Sequence, residues 1–489
     1  MQGQFFLALP VVLPVILGIL QYAIHMDERR REITVTVSLF ATAALGAAAA
    51  FLQNSELMLW RLTDNIAIEL FVDGISQVYL LLIALVWPFV GLYSTEYLEF
   101  ESRRKHFFLF YMITYGVLNA LAMSRNVITM YMFYECMTLC TVPLVLFNGS
   151  RESVAAATKY LVYSVFGASA ALLGIFFVGV YGSGFRFQAG GILDAAAISQ
   201  HEPLALAIVF VMLVGFGVKA GLFPMHSWLP TAHPVAPAPA SAVLSGVITK
   251  MGVLGVIRVI YDVAGVEFLR GTWVQYAFMA LTLITVILGS AMALQEKQLK
   301  KRLAYSTVSQ VSYVLFGLST MTTLGFVGAM LHIVFHSLIK NTLFMSAGSI
   351  IHKTGLTRAG ELRGIGKRMP ATMWCFTLVS LGLIGIPPTG GFISKWQIAE
   401  GALCLDSAAN WIGPAVLLVS AVLTAAYLLP VALRGFFPGE DIDGASLTKC
   451  EVSWRMLVPM ILFSALVFLA GMFPNGLIHA FSEIARAIM

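Results

Sequence analysis

Runs of about twenty apolar residues, the length of one membrane-crossing helix, recur along the chain with short polar connections between them. They lie at Phe5–Ile24 and at residues 33–52, 74–94, 106–123, 127–147, 156–181, 204–224, 240–260, 272–293, 303–320, 323–349, 371–402, 411–434 and 453–473. The pattern predicts an all-α polytopic membrane protein of about fourteen transmembrane helices. The runs at 323–349 and 371–402 are long for one crossing, which predicts a bend, a tilt or a break. Phe5–Ile24 has no basic segment before it and no small-residue cleavage site, so a retained helix is expected there rather than a signal peptide.

The polar connections carry an alternating charge. Odd-numbered ones hold Arg29, Arg30 and Arg31; Arg103, Arg104 and Lys105; Arg151 and Lys159; Lys297, Lys300, Lys301 and Arg302; Lys353, Arg358, Arg363, Lys367 and Arg368; and Arg434, Lys449 and Arg455. Even-numbered ones and the C-terminal tail hold only Arg61, Arg125, Arg186, Arg258, Arg270 and Arg486. The positive-inside rule then places both termini outside and the basic loops in the cytoplasm. Composition agrees: of 489 residues, 59% are hydrophobic and 11% charged, against about 25% charged in soluble proteins. Topology accounts for the net charge of +5, so no nucleic-acid partner is expected. Cys136, Cys140, Cys375, Cys404 and Cys450 form no CxxC pair and no metal-ligand spacing. No disulfide framework, haem or iron–sulfur motif follows, and no cofactor is expected in this chain.

Four lysines fall inside predicted spans: Lys219, Lys250, Lys340 and Lys395. Acids such as Glu296, Glu361, Asp441 and Glu451 sit in connections or near span ends, whereas Glu135 is mid-span. A charge in hydrocarbon is costly and normally faces a bundle interior or a water-filled path. Lys219 and Lys250 flank a stretch interrupted by Pro224, Pro230, Pro234, Pro237 and Pro239, with His226 and His233 among them as supporting polar groups. Interrupted helices at membrane depth persist only where protein buries them or where they line a cavity. His332, His336 and Lys340 share one helix face at i, i+4 and i+8, a polar stripe that reads as a hydrated relay. Lys395 follows a second break at Pro387, Pro388, Gly390 and Gly391. Each group has a structural alternative: a static ion pair for Glu135 and Lys219, core packing or a metal site for the histidines, and snorkelling for Lys395.

One break has a lysine before it and the other a lysine after it, five spans apart. This predicts two inverted five-helix repeats with helices 7 and 12 broken. The chain then divides into a three-helix segment (1–105), a first repeat (106–262), a second repeat (263–436), and a C-terminal loop, last span and tail (437–489).

The stretch GVKAGLFPMHSWLPTAHPVAPAPASAVLSGVITKMG, with LKKRLAYSTVSQVSY, the His332–Lys340 helix and GIPPTGGFISKW after it in that order, resembles the antiporter-like subunits shared by respiratory complex I, Mrp-type multisubunit Na+/H+ antiporters and membrane-bound hydrogenases. The resemblance spans residues 70–430, and length and Lys395 suit Mrp D-type, hydrogenase-type or shorter complex I members. It implies that Glu135 pairs with Lys219, that Lys250 and the histidines continue the path, and that Lys395 is its last charged group. Gln298 departs from relatives that carry an acid there. The implied function is proton translocation along a buried Glu/Lys/His relay, coupled to redox chemistry or Na+ exchange in partner subunits. Further antiporter-like subunits are among those partners. The chain itself is expected to be a non-redox subunit of an oxidoreductase or of an antiporter, in a bacterial or archaeal cell membrane. A stand-alone H+/Na+ exchanger and a non-pumping scaffold are the alternatives.

Overall fold

The computed structural model describes residues 5–63, 66–439 and 448–489; Asp441 and the rest of 440–447, in the expected C-terminal loop, lie outside them. Seventeen helices of eight residues or more are numbered here in chain order. They are α1 (Leu9–Ala23), α2 (Glu28–Ala50), α3 (Gly74–Tyr97), α4 (Arg104–Ala122), α5 (Val127–Val145), α6 (Arg151–Tyr181), α7 (Glu202–Ala220), α8 (Trp228–Val235) and α9 (Ala238–Ala264). Then come α10 (Trp273–Gln295), α11 (Leu299–Ser319), α12 (Thr323–Thr354), α13 (Pro370–Ile384), α14 (Gly390–Leu403), α15 (Ala409–Phe436), α16 (Trp454–Met472) and α17 (Asn475–Ile488). Among the described residues, eleven helices are long and apolar enough to cross a membrane.

Short polar side chains start the helices where apolar runs begin. Asp73 accepts from Ser76 N at 2.8 Å to cap α3, Asn126 accepts from Thr129 N at 2.7 Å to cap α5, and Ser150 and Thr322 do the same for α6 and α12. Left-handed glycines stop α7 at Gly221 (φ 87°) and α13 at Gly385 (φ 94°), a conformation that costs glycine nothing. The run at 204–224 therefore ends at Ala220 and resumes as α8. The run at 371–402 is two helices, α13 and α14, whereas that at 323–349 is one unbroken helix of 32 residues. At the second break the chains approach so closely that a Cβ on Gly391 would lie 1.8 Å from the Gly382 carbonyl oxygen.

Three expectations need correction. The chain is not all-α: after α2, β1 (Glu56–Arg61) and β2 (Ala67–Phe71) form an antiparallel hairpin, with Leu57 opposite Leu70. Strands of six and five residues without a period-two burial pattern give no signal beside twenty-residue apolar runs. Arg258 does not lie in a connection, because α9 runs on to Ala264 and buries it. Lys300, counted among the loop cations, is buried in the first turn of α11.

Burial sorts the helices. The apolar stretch of α9 is 100% buried and that of α12 is 83% buried, against 28% for α1. The central pair, α9 and α12, carries Lys250, His332, His336 and Lys340.

Candidate functional site

Lys219 occupies the last turn of α7 and is 1% exposed. Its ammonium donates to three hydroxyls, Thr138 Oγ1 at 2.8 Å, Tyr160 OH at 2.9 Å and Ser164 Oγ at 3.0 Å. These satisfy all three N–H donors. The Tyr160 ring centroid lies 4.4 Å from Nζ, adding a cation–π contact. A Cβ on Gly252 of α9 would sit 2.9 Å from Lys219 Cβ, so the absence of a side chain there is what lets α7 and α9 pack closely beside Lys219.

Among the described residues Glu135 and Lys219 share no direct hydrogen bond or ion pair, yet each lies within reach of the other's charge. Glu135 sits on α5 one turn before Thr138, half-buried, with Leu139 beside it 61% exposed, and its Oε1 has no hydrogen-bond partner. The hydroxyl cage has taken the ammonium's three positions, which leaves the carboxylate toward the outer surface of α5.

Lys250 follows a π-helical turn, Leu244–Ile248, a form of helix that frees carbonyls and recurs at functional sites. Its Nζ donates to Ser245 O at 2.5 Å and shares a hydrogen bond with His336 Nδ1 at 2.7 Å. The His336 and His332 rings lie 5.7 Å apart, 12° from parallel. His332 Nδ1 is 2.9 Å from Ser394 Oγ, and its ring stacks on Tyr313 at 5.7 Å. Lys395 Nζ lies 4.9 Å from the Tyr313 ring centroid and donates to Leu383 O at 2.6 Å and Ile384 O at 3.0 Å. Those are the terminal carbonyls of α13, which the break leaves without intrahelical donors. Lys395 therefore closes the break from within as well as following it in sequence.

Lys340 turns aside from this series and donates to Leu303 O at 3.0 Å and to Ser306 Oγ, both on α11. Near these groups, several buried polar atoms have no hydrogen-bond partner among the described residues: His332 Nε2, His336 Nε2, Ser337 Oγ, Asn341 Oδ1 and both side-chain polar atoms of Gln310. His226 stacks on Phe223 beside the first break, Pro224 following Phe223 directly. His233 is fully buried against Phe344, with ring centroids 4.7 Å apart. At the second break Pro387 and Pro388 precede Thr389, which opens α14.

The structure thus brings Lys250, His336, His332 and Lys395 into one run, keeps Lys219 in a separate cage, and sets Glu135 at the margin. The hydroxyls of Thr138, Tyr160, Ser164, Tyr313, Ser394 and Ser306 were not found from the sequence. Ser, Thr and Tyr are common on apolar helices and carry no motif of their own. A second missed feature is Arg258, which bridges Asp73 Oδ2 at 2.7 Å and Asp262 Oδ2 at 2.8 Å. Its i,i+4 spacing to Asp262 was the available signal. Burial raises the affinity of the Asp73 carboxyl for a proton, but the Arg258 guanidinium outweighs it and holds the group below the usual carboxylate range. This bridge is present at neutral pH and weakens only as pH falls through that lowered pKa.

Among the described residues, no group of three or more His, Cys, Asp and Glu side chains is placed to hold a metal ion. The five cysteines are free.

A family model described as NADH:quinone oxidoreductase/Mrp antiporter, TM, matches residues 124–424. NADH-quinone oxidoreductase subunit N of Desulforudis audaxviator is 32% identical over 431 residues, covering 84% of this chain and 83% of that protein. The D-type component of a Na(+)/H(+) antiporter of Bacillus subtilis is 26% identical, covering 96% of this chain and 94% of the relative. One protein of the Mrp complex from a Dietzia species shares the fold, with a TM-score of 0.83 at 21% identity over 100% of this chain and 98% of its own.

Proposed function

The chain belongs to the NADH:quinone oxidoreductase/Mrp antiporter transmembrane family, and from that premise we propose that it is a proton-translocating, antiporter-like subunit of a multisubunit membrane complex. It works beside other membrane subunits, further antiporter-like ones included, and passes H+ along a buried polar run while partners supply redox chemistry or Na+ exchange. The chain holds no cofactor of its own in this reading.

The observation that carries the proposal is the run Lys250–His336–His332 on the two most deeply buried helices, α9 and α12, continued by Ser394 and Lys395 on α14. A purely structural core has no use for it. Leaving a buried polar atom unpaired costs about 1–3 kcal/mol, and these helices hold several such atoms. Water-sized partners in a proton path would satisfy them, and the imidazoles suit relay near neutral pH.

The eleven apolar helices, α4, α11 and the broken pair α13–α14 make fourteen crossings in this reading. Residues 106–262 and 263–436 form the two inverted five-helix units, flanked by 1–105 and 437–489. Both termini lie outside the cell membrane of a bacterium or archaeon, because the basic loops alternate with weakly charged ones. A cysteine placed near Arg104 is expected to react with an impermeant reagent only from the cytoplasmic side; reaction only from outside reverses this topology.

Glu135→Gln is expected to slow translocation while the subunit still inserts and assembles. Glu135 makes no ion pair in this structure, so its neutralisation strands no buried cation; Lys219 keeps its three hydroxyls. The measurement is proton pumping by the assembled complex in proteoliposomes, with subunit content checked alongside. Normal pumping by the variant removes Glu135 from the path. Pumping by the chain purified alone favours a stand-alone exchanger instead, and no pumping by the intact wild-type complex favours a scaffold.

A further inference from the structure

We infer that Lys300 and His233 form the proton intake of this subunit, joining the end that bears the basic loops to Lys340, which lies one turn after His336 of the buried run on α12. The inference rests on the translocation reading above and adds the residues through which a proton arrives.

A cavity of about 190 Å³ lies at that end, with Tyr97, Glu101, Asn148, Gln298, Lys300 and Thr357 in its wall. Its neighbours in sequence are the loops carrying Arg103, Arg104, Lys105, Arg151, Lys297 and Arg358. Lys300 forms the inner wall. It is 7% exposed, and its Nζ donates to Pro234 O at 3.4 Å and to Ala236 O. Those carbonyls lie one and three residues beyond His233, where α8 gives way to α9.

His233 has 0% exposure, and neither ring nitrogen has a hydrogen-bond partner among the described residues. A fully buried imidazole with two unused nitrogens is costly as packing alone. The cations whose fields reach it are Lys300, then Lys340, then Lys250. Contacts tie it to the surroundings of the first two. Its ring stacks on Phe344, one turn after Lys340 on α12, and Lys340 donates to Leu303 O, one turn after Lys300 on α11.

The transfer needs protons only. The Lys300 ammonium, recharged from the cavity, gives a proton to one ring nitrogen of His233. The imidazolium gives up the proton on its other nitrogen to the neutral amine of Lys340, and no electrons move. The competing account is that Lys300 only caps the end of α8 as a cation at a helix C-terminus and that His233 only packs.

The two accounts order the variants of Lys300 oppositely. Arginine keeps the cation and the reach to both carbonyls but does not release a proton; histidine loses the cap but titrates. In the complete complex in proteoliposomes, Lys300→Arg and His233→Phe, which keeps the stack on Phe344, are expected to lower proton uptake on the order of 100-fold. Lys300→His should retain part of the rate. Full uptake by Lys300→Arg, or more uptake by it than by Lys300→His, overturns the intake. Should Lys300→Arg fail to assemble, His233→Phe carries the test by itself, and normal uptake in it has the same consequence. Lys250→Met serves as reference. If it is inactive while His233→Phe is active, only the intake falls; if Lys250→Met pumps normally, the functional reading falls with it.

Discussion

Lys250→Met stops proton translocation and leaves the complex assembled. This is the largest functional effect expected from one substitution, because Lys250 is the point where α9 meets the histidines of α12 through the 2.7 Å contact with His336. Methionine has a similar reach and no proton. The structural cost is expected to be moderate. Lys250 has no acidic partner among its hydrogen bonds, so its removal strands no buried counter-charge, the situation that makes broken ion pairs so damaging. The Ser245 carbonyl that it releases still accepts from Thr249 Oγ1 at 2.9 Å. The hydrogen bonds to Ser245 O and to His336 Nδ1 are lost, and the imidazole nitrogen left unpaired costs about 1–3 kcal/mol. Translocation should fall on the order of 100-fold or more, the range for removing a positioned proton carrier. The measurement is the pH gradient formed by the complex in proteoliposomes, with thermal unfolding and subunit content recorded for the same sample. A full gradient in a stable Lys250→Met complex excludes Lys250 from the path.

Lys395→Arg is expected to be nearly as damaging to translocation, again with the fold intact. Lys395 donates to the Leu383 and Ile384 carbonyls at the end of α13 and lies beside the Tyr313 ring that stacks on His332. A guanidinium can keep the carbonyl bonds, the cation at the helix C-terminus and the contact with the ring. It cannot readily release a proton. Structural closure of the break is therefore preserved while exchange is lost, and the two roles of Lys395 separate. Lys395→Glu reverses the comparison. A carboxylate faces the same carbonyls unfavourably and is tolerated there when protonated, but it titrates, so partial translocation is expected with weaker assembly. The same proteoliposome measurement applies. Undiminished pumping by Lys395→Arg shows that this side chain need not exchange a proton, and the path then leaves from the His332, His336 and Lys340 stripe.

The chain alone determined the membrane class, the positions of most crossings, both breaks and the identity of the charged groups inside them. The reason is energetic. Twenty apolar residues in a row have few soluble uses, a lysine among them is costly unless it is used, and a proline after a glycine ends a helix wherever it falls. Those constraints act within a few residues, so they are visible in order along the chain. What each charge touches is not local. Lys219 meets three hydroxyls contributed by two other helices, Lys395 meets carbonyls 11 and 12 residues before it across the break, and Arg258 reaches Asp73 from a distance of 185 positions in sequence. Only the packing of α5, α6 and α7 gave the Lys219 ammonium to three hydroxyls rather than to Glu135, and only the packing of α8 on α12 set the His233 ring against Phe344. Side-chain hydroxyls and carbonyl oxygens carry no sequence signature, because every helix has them; tertiary structure alone selects the few that a buried ammonium finds.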